Sequence, residues 1–280
     1  MGCNRVKVKP IKKIVCVDSD GTAIDSMDIK HIKCFGPCFV EVFGLQAQRV
    51  ELLQRWNEIN LYEKTRGMNR FLTLVMILKE YEKKYGKIEG AQKLYAWAQT
   101  TPSLSEAALK DAIAAGGDSF LKKTLEWSEK TNREIAKLTF DEKRPFMGVK
   151  EFFEYAKERA DIAVVSSANL RAITEEWAYF GLDKYPGAVM AQDVGPKDKC
   201  LQKLIENGYA PENILMVGDA YPDYNAARET GVWFYPIRTR FERESWKELK
   251  EKYFDIFLAG SYADVQEEQI EKFEKNFERE

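Results

Sequence analysis

The chain has 280 residues, 45% of them hydrophobic and 31% charged, which is enough for a large apolar core and most naturally for two domains. Its 43 basic residues almost balance its 45 acidic residues, and no basic block occurs, so the charge argues against nucleic acid as a partner. The chain lacks any run of 18 apolar residues, and its first residues lack the apolar stretch of a signal peptide. We therefore expect no membrane association and a cytoplasmic location.

Cysteine and histidine usage excludes several kinds of site. The cysteines are Cys3, Cys16, Cys34, Cys38 and Cys200. They show no C-x-x-C spacing, which indicates neither a disulfide framework nor a zinc site. A single histidine, His31, excludes a paired-histidine metal centre and argues against a Ser-His-Asp hydrolase.

The first predicted element is a buried strand, the apolar run 14–17, followed directly by the sequence D-S-D-G-T. The carboxyl end of a parallel strand is where open α/β folds bind ligands. There Asp18 can attack an electrophilic phosphorus, Asp20 can exchange a proton with the leaving group and with water, and Gly21 lets the backbone turn sharply. A plain turn would also use these residues, as would a calcium loop, but a calcium loop has its glycine two positions later.

The segment 25–144 is predicted to be almost wholly helical, because apolar residues recur at helical spacing. Ser103 and Glu106 have the spacing of a capping box at the start of one helix. A charged loop, residues 64–70, lies between two helical stretches. It contains Arg66 and Arg70, whose guanidinium groups suit carboxylates and second phosphates, although charged loops are often only solvated.

Two further apolar runs, 162–165 and 214–217, predict buried strands, and a helix is predicted to open between them at Gly195-Pro196-Lys197. If the strands are parallel, their carboxyl ends bring polar side chains together. These are Asp18, Asp20, Ser166, Lys197, Asp219 and Asp223. Phosphoryl transfer through an aspartate needs such a set, because the attacking carboxylate and the phosphate are both anionic and must be neutralised.

With these motifs in this order, the sequence resembles the haloacid dehalogenase superfamily of phosphohydrolases. The resemblance implies an α/β fold with a doubly wound, mainly parallel Rossmann-like sheet core and an inserted all-helical cap domain. The core would comprise residues 1–24 and 145–240, and the cap residues 25–144. A helical C1-type cap of this kind, as in phosphoglycolate phosphatase and beta-phosphoglucomutase-like members, is a mobile lid that selects substrates. The helices could instead add only stability or form a dimer surface.

The resemblance also implies a role for each motif residue. Asp18 would be the nucleophile and Asp20 the general acid and base. Ser166 would bind the phosphoryl group, with Ser167 as the alternative hydroxyl, and Lys197 would bridge phosphate and nucleophile, with Lys199 as the alternative.

The remaining assignments concern the metal and the substrate. Mg²⁺ would be held by the Asp18 carboxylate, the Asp20 backbone carbonyl and Asp219, with Asp223 acting directly or through water. Substrate-binding roles are implied for Ser167, Asn169, Arg66 and Arg70.

Residues 241–280 complete the chain as a C-terminal extension, where apolar residues at helical spacing between dense charges predict one or two amphipathic helices. No catalytic motif occurs there. The helices would pack on the core or on a second subunit, and the sequence leaves the oligomeric state open.

The predicted function is Mg²⁺-dependent hydrolysis of a small phosphorylated metabolite through an aspartyl-phosphate intermediate. Asp20 narrows the reaction, since the carbon–halogen and phosphonate-cleaving branches of the superfamily lack this aspartate. A sugar phosphomutase is the alternative within the superfamily. A phospho-acceptor or metal-binding pseudoenzyme is the alternative of another class, although it would be expected to lose Asp20 or Lys197.

Overall fold

The computed structural model describes residues 12–278, which divide into two compact units. The first, the sheet unit, takes the chain up to Ile24 and then Pro145–Asp219 and Asp223–Asn276. The second, the helical unit, takes Asp25–Arg144 together with the short piece Ala220–Pro222 and the chain from Phe277 onward. Residues 1–11, which include Cys3 and the first part of the predicted core, lie outside the described part of the chain.

The sheet unit is built on a five-stranded sheet in which each paired strand is parallel to its neighbour. Its strands are β1 (Ile14–Val17), β4 (Asp161–Val165), β5 (Ala188–Met190), β6 (Ile214–Gly218) and β7 (Trp233–Pro236). Their order across the sheet is β5-β4-β1-β6-β7, so the chain moves outward from β1 first on one side and then on the other. The predicted α/β fold class, with a doubly wound parallel sheet and a helical insertion, is confirmed.

The strands form from short, wholly apolar runs because both faces of a parallel sheet are covered by helices. The side chains of β1 and β6 are all buried. In the register of the sheet, Val17 of β1 lies level with Val164 of β4 and Val217 of β6. Asp18 follows Val17 directly, and Ser166 and Asp219 come two residues after Val164 and Val217, so these polar residues leave the sheet at the same edge.

Helices of the sheet unit connect and cover these strands. They are α8 (Val149–Ala156), α9 (Leu170–Tyr179), α10 (Lys197–Glu206), α11 (Tyr221–Thr230), α12 (Glu242–Glu248), α13 (Phe254–Ala259) and α14 (Ala263–Lys275), with a π-helical segment at Leu249–Tyr253. Apolar side chains of α8, α9 and α12 join those of β1 and β6 in one buried cluster, which includes Phe152, Trp177 and Trp246.

The helical unit has its own apolar core, centred on Trp56 and Trp127, neither of which has exposed surface. Its helices are α1 (Met27–Lys30), α2 (Gly36–Phe43), α3 (Arg49–Asn57), α4 (Arg70–Tyr85), α5 (Ala91–Thr100), α6 (Glu106–Gly116) and α7 (Ser119–Ile135), with π-helical segments at His31–Phe35 and Glu58–Tyr62. Two short strands, β2 (Ile24–Asp25) and β3 (Arg144–Pro145), pair where the chain enters and leaves this unit. None of the helices described in residues 12–278 combines the length and hydropathy needed to cross a membrane.

One predicted helix start was wrong. Helix α6 begins at Glu106 and its N-cap is Ser105, whose hydroxyl accepts a hydrogen bond from the Ala108 backbone N–H. Ser103 lies outside the helix, where the Thr101 hydroxyl donates to its carbonyl oxygen. Ser103 and Glu106 have the spacing of a capping box. Ser105, directly before the helix, satisfies a backbone N–H with its hydroxyl alone and needs no acidic residue three positions later.

The C-terminal helices belong to the sheet unit and cover the outer edge of its sheet. Strand β7 lies at the edge, where unpaired backbone groups need other partners. The side-chain oxygen of Gln266 accepts a hydrogen bond from the Phe234 N–H (3.1 Å), and the Tyr262 hydroxyl donates to the Phe234 carbonyl oxygen (3.0 Å). Gln266 of α14 and Tyr262, which directly precedes the helix, thus bind backbone groups that a further strand would otherwise bind.

We expect Gln266→Ala to lower the free energy of unfolding by about 1–3 kcal/mol, because the Phe234 N–H would be left unpaired in a buried position. The matched control is Glu267→Ala, which removes an exposed side chain from the next position of the same helix. The measurement is urea denaturation followed by circular dichroism. Equal losses in the two variants would show that Gln266 does not protect this edge.

Candidate active site

The loop after β1 is a tight turn fixed by its own backbone. The N–H groups of Ala23 and Ile24 both donate to the Ser19 carbonyl oxygen, and the Gly21 N–H donates to the carbonyl oxygen of Ile24. Gly21 has φ of +81°, a conformation that glycine adopts at little cost. The turn leaves Asp18 buried, at 6% exposure, and Asp20 half-buried.

Asp18 forms a buried ion pair with the first residue of α10. The Lys197 ammonium lies 3.0 Å from Asp18 Oδ2 and 2.5 Å from Asp223 Oδ1. Burial alone would lower the pKa of Lys197, but the Asp18 and Asp223 carboxylates outweigh it and raise this pKa, so the lysine stays charged. Lys199, the alternative from the sequence, exposes 67% of its side chain, and its ammonium lies 4.0 Å from Asp198 Oδ2.

The charge balance around Asp18 raises its pKa. The pKa of Asp18 is raised to about 7: burial is the main cause, the Lys197 ammonium opposes it, and the nearby carboxylates, first Asp223 and then Asp219, add to it. A cation close to Asp18 would favour its ionised form.

Three buried carboxylates could hold such a cation. Asp18, Asp219 and Asp223 each offer an oxygen within 4.8 Å of the others. Asp18 Oδ1 is buried and accepts no hydrogen bond from any residue between 12 and 278. If all are ionised, the three carboxylates carry three negative charges and the Lys197 ammonium carries one positive charge, so the four groups have a net charge of two negative charges. A buried acceptor without a donor, in an all-oxygen set with excess negative charge, fits a divalent ion such as Mg²⁺.

The predicted phosphoryl-binding residues lie after β4, at the same edge of the sheet. Ser166 is 3% exposed, its N–H donates to the Met190 carbonyl oxygen, and its hydroxyl oxygen accepts from the Ala168 N–H. Ser167 is exposed. Asn169 is the N-cap of α9, since its side-chain oxygen accepts hydrogen bonds from the N–H groups of Arg171 and Ala172.

The two arginines predicted to bind substrate lie in the helical unit. Arg66 is 2% exposed, and its Nη1 donates to the Leu61 carbonyl oxygen (3.0 Å). Arg70 donates from Nη1 to Ser128 Oγ and Asn132 Oδ1. Its guanidinium also lies 4.8 Å from the ring centroid of Phe35. Both guanidinium groups therefore have contacts inside this unit, and their role toward a substrate stays a prediction.

Some residues that shape the site have contacts that the sequence does not predict. Thr22 is completely buried, and its hydroxyl donates to Asp219 Oδ1 at 2.6 Å. The Trp177 indole N–H donates to the hydroxyl of Ser19, between the two motif aspartates, at 2.9 Å. At the end of β6, Gly218 leaves room for Asp223, because a Cβ at position 218 would lie 2.3 Å from Asp223 Cγ. Only the folded chain reveals these contacts, since each joins distant segments or depends on the path of a turn.

Comparisons with known proteins identify relatives of this arrangement. A family model described as haloacid dehalogenase-like hydrolase matches residues 12–231. A predicted phosphatase from Clostridium acetobutylicum has a similar structure, with 15% identity, a TM-score of 0.51 and coverage of 93% of this chain and 99% of that one. A Lactobacillus delbrueckii subsp. bulgaricus protein assigned as a phosphoglycolate phosphatase has 14% identity, a TM-score of 0.50 and coverage of 82% and 86%. At these identities the two structures show the fold alone. Comparison with curated proteins gave no match.

We expect Gly218→Ala to displace the Asp223 carboxylate from Lys197 and to lower the free energy of unfolding by about 1–3 kcal/mol, the usual cost of overpacking a buried position. Gly187→Ala is the control, because a Cβ there would meet its nearest neighbour at 4.0 Å. The measurement is urea denaturation of both variants. Equal stability of the two variants would mean that Asp223 moves aside freely and that its position is not fixed by Gly218.

Proposed function

Because the chain belongs to the haloacid dehalogenase-like hydrolases, we propose that it hydrolyses a small phosphomonoester through an aspartyl-phosphate intermediate on Asp18, with Mg²⁺ as cofactor. One observation carries the proposal. Asp18 is a buried carboxylate with one oxygen 3.0 Å from the Lys197 ammonium, and its other oxygen has no hydrogen-bond donor in the described part of the chain. A carboxylate that only stabilised the fold would be expected to have both oxygens satisfied.

In the first step, an Asp18 carboxylate oxygen forms a bond to phosphorus while the bond from phosphorus to the ester oxygen breaks. Asp20 gives its proton to the departing oxygen, which leaves as an alcohol. Asp20 suits this role because it is half-buried and lies two residues after the nucleophile, directly before the turn at Gly21. Lys197 supplies a fixed positive charge beside the Asp18 carboxylate.

In the second step, water attacks the phosphorus of the aspartyl phosphate, and Asp20 accepts the proton of that water. The bond between phosphorus and Asp18 breaks, which releases inorganic phosphate and restores the carboxylate. Ser166 would hold the phosphoryl group with its hydroxyl in both steps, and Ser167 and Asn169 would line the same loop.

Mg²⁺, when bound, supplies positive charge that lets the anionic nucleophile and the anionic phosphate approach each other. Asp18, Asp219 and Asp223 would hold it, together with the Asp20 backbone carbonyl. Two features of Asp18, Asp219 and Asp223 support the proposal: oxygens of these three carboxylates lie within 4.8 Å of one another, and all three side chains are buried.

The reaction class rests on Asp20 and on the similar structures. An acid at position 20 is needed to protonate the alcohol that leaves from a phosphate ester, and the Clostridium acetobutylicum structure carries the name of a predicted phosphatase. We place the choice among phosphate esters in the helical unit, where Arg66 and Arg70 are our candidates for contacts with a distal anion. A panel of phosphorylated metabolites, assayed by release of inorganic phosphate in the cytoplasmic pH range, would identify the substrate.

We expect Asp18→Asn to abolish hydrolysis of an aryl phosphate, because an amide oxygen is a poor nucleophile toward phosphorus. Asp20→Asn should lower kcat by about 10²–10⁴, the usual contribution of a positioned acid and base. Asp161→Asn is the control: it removes a carboxylate at the opposite end of the sheet, level with Ile14. Turnover by the Asp18 variant at the wild-type rate would refute the nucleophile assignment.

Removal of metal gives an independent test. We expect EDTA to stop hydrolysis in the wild-type protein and added Mg²⁺ to restore it, because the excess negative charge of the three carboxylates would otherwise repel the phosphate. Circular dichroism before and after chelation checks that the fold survives. Hydrolysis that continues unchanged in EDTA would contradict the proposed metal site.

A further inference from the structure

A chain of two hydrogen bonds connects the C-terminal helices to the proposed metal site. The indole N–H of Trp246, in α12, donates to the Thr22 carbonyl oxygen at 3.0 Å. The Thr22 hydroxyl in turn donates to Asp219 Oδ1 at 2.6 Å. Asp219 is 1% exposed, and Trp246 and Thr22 have no exposed surface, so water does not compete for either bond.

Trp246 is held firmly enough to act as a fixed support. Its ring centroid lies 5.3 Å from that of Phe152 and 6.1 Å from that of Phe153, two residues of α8. Its Cβ packs against the backbone of Gly148, where an added Cβ would lie only 2.8 Å away. The indole therefore has one position, and its N–H direction is set by packing.

Trp246 acts on Thr22, the residue of the loop after β1 that is hydrogen-bonded to the proposed metal ligand Asp219. Trp246 fixes the backbone of Thr22, and the position of that backbone decides whether the threonine hydroxyl reaches Asp219. A hydroxyl bonded to one carboxylate oxygen restricts rotation of the carboxylate about its Cβ–Cγ bond. Groups that orient a metal ligand in this way commonly change metal affinity by 10- to 100-fold (order of magnitude) when they are removed.

We propose that Trp246 is a positioning residue for the metal ligand Asp219, acting through Thr22, so that the C-terminal helices form part of the active site's support. The inference rests on the proposed function, because it assigns Trp246 to the Mg²⁺ site. It adds a residue from beyond the matched family region, 12–231, to the machinery of the site.

The test measures Mg²⁺ binding directly, by isothermal titration calorimetry with MgCl₂ and no substrate. We expect Trp246→Phe, which keeps an aromatic ring and removes the N–H donor, to weaken Mg²⁺ binding by about tenfold. The matched control is Trp233→Phe. It also removes an indole N–H that donates to a backbone carbonyl oxygen, that of Glu212, at 3.0 Å, but it lies on the edge strand β7. Its Mg²⁺ affinity should equal that of the wild type.

Two Thr22 variants test the route. Thr22→Val removes the hydroxyl and should weaken Mg²⁺ binding by at least as much as Trp246→Phe, whereas Thr22→Ser keeps the hydroxyl and should stay close to the wild type. In the Thr22→Val background, Trp246→Phe should have no further effect, since the hydroxyl that it positions is gone. Additive losses in the double variant would overturn the proposed route through Thr22.

Folding is controlled separately, by thermal melting of each variant without metal. If Trp246→Phe is too unstable to titrate, benzothienylalanine at position 246 keeps the bicyclic ring and replaces only the N–H group by sulfur. The inference is refuted if either variant at position 246 binds Mg²⁺ with the same affinity as the control Trp233→Phe. Absence of Mg²⁺ binding in the wild type would instead refute the proposed metal site, so the two failures are distinguishable.

Discussion

The structure depends on a buried cluster of charges that cannot be satisfied singly. The Lys197 ammonium pairs with Asp18 and Asp223, and an oxygen of Asp219 lies within 4.8 Å of oxygens of both carboxylates. Burying a charge is costly in free energy unless the charge has a partner, so the folded chain must bring these side chains into contact with one another. Residues from two strand ends and from the first turns of two helices meet this requirement. The excess negative charge that remains makes the cluster suitable for a divalent cation.

The parallel sheet delivers the residues, and the helices fix them. Because Val17 and Val217 are level in adjacent strands, Asp18 and Asp219 leave the sheet side by side. Tryptophans on two different helices then anchor the loop after β1: Trp177 at Ser19 and Trp246 at Thr22. Groups fixed in this way need little rearrangement during the reaction, and this is where enzymes gain much of their electrostatic stabilisation.

The helical unit shows a different use of charge. Arg70 donates to Ser128 and Asn132, and the Glu106 carboxylate accepts hydrogen bonds from the same two side chains. The charge of Arg70 is thus part of a network within its own unit. In this conformation a substrate anion would have to compete with these partners.

The sequence by itself determined the order of the motifs and the class of fold. Short apolar runs ending in polar residues predicted the strands, and Asp18 and Asp20 after the first of them predicted the reaction, because local patterns encode which faces are buried and which side chains follow a strand. Tertiary structure decided the rest. Lys197 rather than Lys199 lies beside Asp18, and the indole of Trp246 donates to a carbonyl oxygen 224 positions earlier in the chain. Such pairings depend on how separate elements pack, and no local pattern records that.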